Sequence, residues 1–262
     1  IDVGQGDATL LEFRCGLVLI DAGGDDHNYT KLVPYLDRVM AKRKAHGGST
    51  DLDLVIITHP HIDHVVAVDN VLATYKGRIK RWVYNGYQGG LGGKQTKLVC
   101  EKAGKGELKD LKLMAISDGL VTAADADRGE KDPAYKRGLT GKDYAIIDPV
   151  CCPKCDPEIR ILSGRLLKNP EWSKDDFKDQ NNHSIAVRVD HGKSSFLFTG
   201  DLEKPAIRTF LDYYGWYDDD RESKMIRRIL DVDVYQVGHH GAENGTVDEL
   251  VQATSPDISV IS

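Results

Sequence analysis

The stretch Thr58-His59-Pro60-His61-Ile62-Asp63-His64 follows directly on the apolar run Leu54-Val55-Ile56-Ile57. A short apolar run of this kind reads as a buried strand. Behind it, four of six consecutive positions carry an imidazole or a carboxylate. Neutral imidazole nitrogen and carboxylate oxygen suit borderline divalent metals such as zinc or manganese. Pro60 disfavours the helical region for His59, so His59 and His61 are expected on extended backbone, converging on one ion. Asp63 and His64 then begin the next element and reach a second ion. A histidine in a loop is ordinarily just solvated, and that reading holds for each histidine outside the cluster. It does not account for this density of ligands behind a strand, and the stretch is read as a metal site.

The 262 residues fit one large α/β domain or two small ones. A composition that is 40% apolar and 29% charged is that of a soluble globular chain. No apolar run approaches the roughly 20 residues that a membrane-spanning helix needs, so no span is expected here. The net charge of −6 argues against a generic basic nucleic-acid glove. It leaves room for local phosphate binding, because a bound metal reverses the sign at its site. The basic clusters at Arg38 to Lys44, Lys76 to Arg81 and Lys94 to Lys112 read individually as solvated faces. Five cysteines, an odd number at low density, suit a reducing compartment better than a disulfide scaffold. The chain starts at Ile1 without a methionine and ends in the strand-like Ile258-Ser259-Val260-Ile261-Ser262. It is therefore read as a piece of a longer polypeptide, with further domains or partner proteins expected.

Along the chain, the turn Asp2-Val3-Gly4-Gln5-Gly6-Asp7 feeds expected strands at Ala8 to Phe13 and Leu17 to Ile20. The second ends in Asp21-Ala22-Gly23-Gly24, where Asp21 is either a turn cap or a carboxylate that orients a ligand histidine. Tyr29 to Lys44 reads as an amphipathic helix, His64 to Tyr75 as the helix after the metal cluster, and Arg78 to Tyr84 as a strand. From about 86 to 157 the pattern degrades into an irregular insertion. It contains the glycine run Gly89 to Gly93, a short helix at Gln95 to Ala103, and the polar stretch Thr122 to Lys142. Cys151-Cys152-Pro153-Lys154-Cys155 reads as a loop, since three thiols fall short of the four ligands of a structural zinc site. Strands are expected again at Glu158 to Leu162, Ile185 to Val189, Ser195 to Phe198, Val232 to Val237 and Ile258 to Ile261. Helices are expected at Pro205 to Leu211, with proline in the first turn, and at Val247 to Thr254.

Six stretches together resemble the metallo-β-lactamase superfamily, and within it the ComEC-type competence-protein metallohydrolase domain. They are Asp2 to Asp7, Leu19-Ile20-Asp21-Ala22-Gly23, Thr58 to His64, Asn181-Asn182-His183-Ser184, Leu197 to Glu203 and Val237-Gly238-His239-His240-Gly241. The histidine cluster marks the superfamily; the Asn-Asn-x-Ser and Gly-His-His-Gly stretches point to the branch. The resemblance implies a single domain over residues 1–262, an α/β fold built as a four-layer αβ/βα sandwich with two mixed β-sheets. It also implies two divalent metal ions, zinc or manganese. His59 and His61 would bind one ion and Asp63 and His64 the other. Asp201 would bridge them, and His239, with His240 as its rival, would complete the second site. His183 lies at the variable position of its motif and is not expected to be a ligand. Asn182 and Ser184 would supply neutral donors to a phosphate oxygen.

The function so implied is a metal-dependent phosphodiesterase that cleaves nucleic acid, DNA in particular, with a metal-bridging hydroxide as nucleophile. Asp63, Asp201, Asn182 and Ser184 are its candidate catalytic residues. A hydrolase of small esters, lactams or thioesters is the alternative on the same fold, and a non-catalytic binding or signalling domain is a third reading. The expected location is cytoplasmic, or extracytoplasmic if the chain belongs to a membrane competence protein.

Overall fold

The computed structural model describes residues 1–87, 90, 92–108, 111–116, 145–220, 224 and 227–262. The polar stretch from Thr122 to Lys142 and part of the glycine run from Gly89 to Gly93 lie outside the described residues. The chain divides into two compact units. One comprises Ile1–Ile116 with Asp148–Pro157 and the last residue; the other comprises Ser117–Ile147 and Glu158–Ile261.

In the first unit, β1 (Thr9–Phe13), β2 (Gly16–Ile20), β3 (Leu52–Ile57), β4 (Ile79–Tyr84) and β5 (Lys112–Ala115) lie side by side in that order. The β1–β2 pair is an antiparallel hairpin with Phe13 opposite Gly16, and the remaining pairings are parallel. Parallel strands are usually covered on both faces, which is why β2 and the stretch Leu54–Ile57 of β3 read as apolar runs and both strands are buried throughout. The helix α1 (Leu32–Ala45) turns Leu32, Leu36 and Met40 inward at a spacing of one turn.

The expected helix from His64 to Tyr75 is in fact two helices, α2 (Ile62–Val65) and α3 (Val68–Tyr75). The backbone N–H of Ala67 donates to the Ala22 carbonyl at 2.8 Å, so the chain breaks to serve the strand-end turn. After the break, Val68, Val71, Leu72 and Tyr75 share one buried stripe. The helix α4 (Gly93–Gly104) occupies the position expected for Gln95 to Ala103. Sequence reasoning found no strand at β5. Its residues, Lys112-Leu113-Met114-Ala115, carry little β-propensity, and it is the pairing with β4 that holds them extended.

In the second unit the sheet order is β11 (Ile258–Val260), β10 (Val234–Gln236), β9 (Ser194–Phe198), β8 (Ala186–His191), β7 (Glu158–Ser163) and β6 (Ala145–Ile146). The pairs from β6 to β9 are antiparallel; β9, β10 and β11 run parallel. Among the described residues, the helices α5 (Lys174–Lys178), α6 (Lys204–Tyr213) and α7 (Asp248–Thr254) accompany it. Leu197 and Tyr235 from the sheet pack with Ile207, Leu211 and Leu250 from the helices in one core. The chain is thus an α/β protein with two mixed sheets, as the sequence predicts.

One expectation is overturned. Cys15 and Cys152 form a disulfide, with Cα atoms 5.4 Å apart and a separation of 137 positions in sequence. Local spacing gives no hint of this pairing. Cys15 sits in the β1–β2 turn and Cys152 in the segment Asp148–Pro157 that returns to the first unit. The pairing also removes Cys152 from any three-thiol metal set, leaving Cys151 and Cys155 exposed and unbridged.

Candidate metal centre

In the first unit, β3 delivers Thr58 and His59 to a buried position. His61 is extended (φ −73°, ψ 152°), the usual conformation of the residue that caps a helix start such as that of α2. The ring centroids of His59 and His61 are 4.8 Å apart, and those of His59 and His64 are 4.2 Å apart. Asp21, at the end of β2, organises this cluster. One carboxylate oxygen accepts the Thr58 backbone N–H at 2.7 Å. The other accepts the Thr58 hydroxyl at 2.7 Å and lies 2.8 Å from His64 Nδ1. A proton on Nδ1 is thereby fixed, which turns Nε2 of His64 into the nitrogen able to take a cation. Of the two roles open to Asp21 in the sequence, the structure shows the orienting one.

Asp63 is held through its backbone. Its carbonyl accepts the N–H groups of Asp7 at 3.1 Å and Gly24 at 2.9 Å. A Cβ at Gly23 would lie 1.6 Å from that same carbonyl oxygen, so only glycine lets the two strand-end turns close around it. The glycine-rich turns noted in the sequence therefore serve a stated purpose, which is to grip the metal-loop backbone. Asp7, buried at 5% exposure, also brings its carboxylate within 4.8 Å of ligand atoms of Asp21 and His64. In the sequence Asp7 stands out only as the last residue of the Asp2 to Asp7 turn.

In the second unit, Asp201 follows β9 and is buried. Its backbone N–H donates to Ser184 Oγ at 3.1 Å. The Glu203 N–H donates to Asn182 Oδ1 at 3.3 Å, and Asn182 Nδ2 donates to the Asp176 carbonyl at 3.1 Å. The side chains of Asn182 and Ser184 thus support the backbone of the Asp201 turn. Beyond β10, the turn Gly238-His239-His240-Gly241 holds two successive non-glycine residues in the left-handed region, His239 at φ 50° and His240 at φ 51°. Such backbone is sparsely populated and collects at functional sites. Here it presents both rings to one carboxylate: Asp201 Oδ2 is 3.7 Å from His240 Nε2 and 3.9 Å from His239 Nε2.

The two rings differ in their other neighbours. His239 Nδ1 is 3.6 Å from Glu203 Oε1. Asn181 Nδ2 donates to the same oxygen at 3.1 Å and lies 3.5 Å from His239 Nε2. Neither Glu203 nor Asn181 was singled out as a functional side chain in the sequence; the available signals were their places in the Leu197 to Glu203 and Asn-Asn-x-Ser stretches. His183 has a structural place, accepting the Leu166 N–H at Nδ1 and pairing Nε2 with the Phe177 carbonyl, beside the Trp172 and Phe177 rings.

Each unit therefore gathers imidazole and carboxylate groups, the donor set that borderline divalent cations prefer. On the first, an acidic partner behind a histidine is the arrangement that raises ligand basicity. The donor chemistry fits a metal.

The fold and these motifs place the chain in a known class. A sequence profile described as the metallo-beta-lactamase superfamily matches residues 1–262, and the chain belongs to that superfamily. It is 27% identical over 271 residues to ComE operon protein 3 of Bacillus subtilis, an alignment that takes in 100% of this chain and 27% of that protein. It is 35% identical over 82 residues to Recombination protein 2 of Haemophilus influenzae, covering 31% of this chain and 8% of that protein. These relatives bear out the ComEC-type resemblance, and the chain spans about a quarter of the length of the first. Among solved structures, CmlA, a diiron beta-hydroxylase from Streptomyces venezuelae, aligns over 98% of this chain and 43% of its own at 15% identity and a TM-score of 0.45. Among the described residues, no helix is long and apolar enough to cross a membrane.

Proposed function

We propose that the chain is a binuclear metal-dependent hydrolase and that its substrate is a phosphodiester of nucleic acid, DNA in particular. The observation that carries the reading is the buried Asp21–His64 pair at 2.8 Å behind a His-x-His-x-Asp-His loop, an arrangement built to present imidazole to a cation. The branch to which the relatives belong, one of them named a recombination protein, supports nucleic acid over lactams or small esters.

In this reading the ligand roles are those that the motifs imply. His59 and His61 would hold one divalent cation and Asp63 and His64 the other, with Asp201 available to both. His240 completes the second site, in place of the His239 favoured by the motif. The reason is that Glu203 and Asn181 already surround the His239 ring. A pair of divalent cations, when bound, lowers the pKa of water toward neutrality and offsets charge on phosphoryl oxygens. The residues of the chain position the reactants. Asp21 fixes the proton of His64 on Nδ1, and the glycine turns fix the Asp63 backbone. Ser184 and Asn182 hold the Asp201 turn, and Glu203 places a carboxylate 3.6 Å from His239 Nδ1.

The test is a substrate panel of plasmid, single-stranded DNA, RNA and a chromogenic lactam, each with zinc or manganese and again with a chelator. Metal-dependent cleavage of DNA is expected. Turnover of the lactam alone would reject the phosphodiester reading, and no turnover of anything would favour a binding or signalling domain.

A further inference from the structure

We propose that Cys15, Cys152 and Cys155 form a thiol–disulfide exchange site, whose two states are a Cys15–Cys152 bond and a Cys152–Cys155 bond. The first state is the one in the structure. The second is available because Cys152-Pro153-Lys154-Cys155 has the Cys-x-x-Cys spacing in which one thiol can attack a disulfide made by the other. Cys155 is exposed and unbridged, whereas Cys152 is buried at 9% exposure. The Cys152 N–H donates to Asp156 Oδ1 at 2.6 Å, which closes residues 152–156 into a single bend.

The exchange balances without an added oxidant or reductant. The Cys155 thiolate attacks Cys152 Sγ, the Cys152–Cys155 bond forms, and Cys15 leaves as a thiolate that takes up the proton Cys155 lost.

The consequence is local to the first unit. In the Cys15–Cys152 state, the segment Asp148–Pro157 is tied to the β1–β2 turn, where the Val150 methyl groups lie 3.0 Å from the Cβ position of Gly16. The hairpin has its own anchor. Arg43 Nη1 donates to the Phe13 carbonyl at 2.7 Å and Nε to the Ser49 carbonyl at 3.0 Å. Exchange therefore leaves the hairpin in place and unties the segment that leads back from residue 147. The site is a control point on that return segment and is independent of the proposed hydrolysis.

The experiment uses the full chain carrying Cys151→Ser, so that each tryptic peptide has one relevant cysteine. Trypsin cleaves after Arg14 and Lys154, which puts Cys15, Cys152 and Cys155 on three separate peptides. The protein is held at mildly alkaline pH without added thiol, quenched with an alkylating agent and mapped by mass spectrometry without reduction. Two linked pairs are expected, Cys15 with Cys152 and Cys152 with Cys155. Adding Cys155→Ser should remove the second pair and leave the first. A map in which Cys15–Cys152 is the sole pair before and after incubation, or in which none of the three cysteines is linked, would overturn the proposal.

Discussion

Asp21 Oδ2 lies 2.8 Å from His64 Nδ1, with both side chains shut away from solvent. The carboxylate stands at φ 58°, a left-handed position that aspartate and asparagine tolerate better than other side chains, and reaches back to Thr58 through two further hydrogen bonds. A strand-end residue thus sets both the backbone of the metal loop and the tautomer of one histidine in it.

Asp21→Asn keeps the backbone preference and the shape while removing the charge. It should weaken binding of the most tightly coupled metal by about 10–100-fold, the usual effect of losing a carboxylate behind a ligand histidine. Competition of zinc against a chromophoric chelator measures it. Equal affinities for the variant and the parent would show that Asp21 matters only to the fold.

Gly23→Ala should destabilise by at least about 2 kcal/mol, because its Cβ would sit 1.6 Å from the Asp63 carbonyl oxygen and backbone must move. Gly104→Ala is the control: nothing lies within 4 Å of its Cβ, and in the last turn of α4 alanine should be neutral or stabilising by about 0.5–1 kcal/mol. Urea unfolding of both variants checks the contrast.

His240→Ala and His239→Ala should separate. The first is expected to lower bound metal from two ions per chain to one; the second should leave metal content intact and reduce turnover by about 100-fold, typical of a lost positioning or proton-handling group. Glu203→Gln should resemble His239→Ala in milder form, since it acts on the same ring. Metal analysis of purified variants beside a cleavage assay decides the assignment. Loss of an ion in His239→Ala alone would reverse it.

Asp25 should titrate late. Hydrogen bonds from the Asn28 side chain and from the backbone of His27 and Asn28 lower its pKa from the ordinary 3.8 to about 2. A carboxyl depressed in the folded chain contributes stability that is complete above its unfolded pKa and is lost as pH falls through the folded one. The Asp25 contribution should therefore persist to below pH 3.8 and fade toward about 2. Carboxyl chemical shifts followed against pH test this, and a midpoint near 3.8 would contradict it.

Much of the fold was legible. Every strand that runs through an apolar stretch, including Gly16–Ile20, Leu52–Ile57 and Ala186–His191, fell where burial on a sheet demands it. The strands that escaped notice, Lys112–Ala115 and Ala145–Ile146, are short and take their extended form from a neighbour across the sheet. The break between Val65 and Val68 escaped for a similar reason: its cause is the Ala22 carbonyl, a partner far away in sequence.

The sequence alone determined the chemistry of the ligands and the elements that carry them, because periodicity and residue type are local properties that act within a few positions. Only the tertiary structure decided which side chain serves which neighbour. It gave Asp21 to His64, Ser184 to the Asp201 backbone, Glu203 and Asn181 to His239, and Cys15 to Cys152. Each of these pairings needs two segments brought within a few ångströms by packing of the core, and no local pattern in either segment encodes that distance.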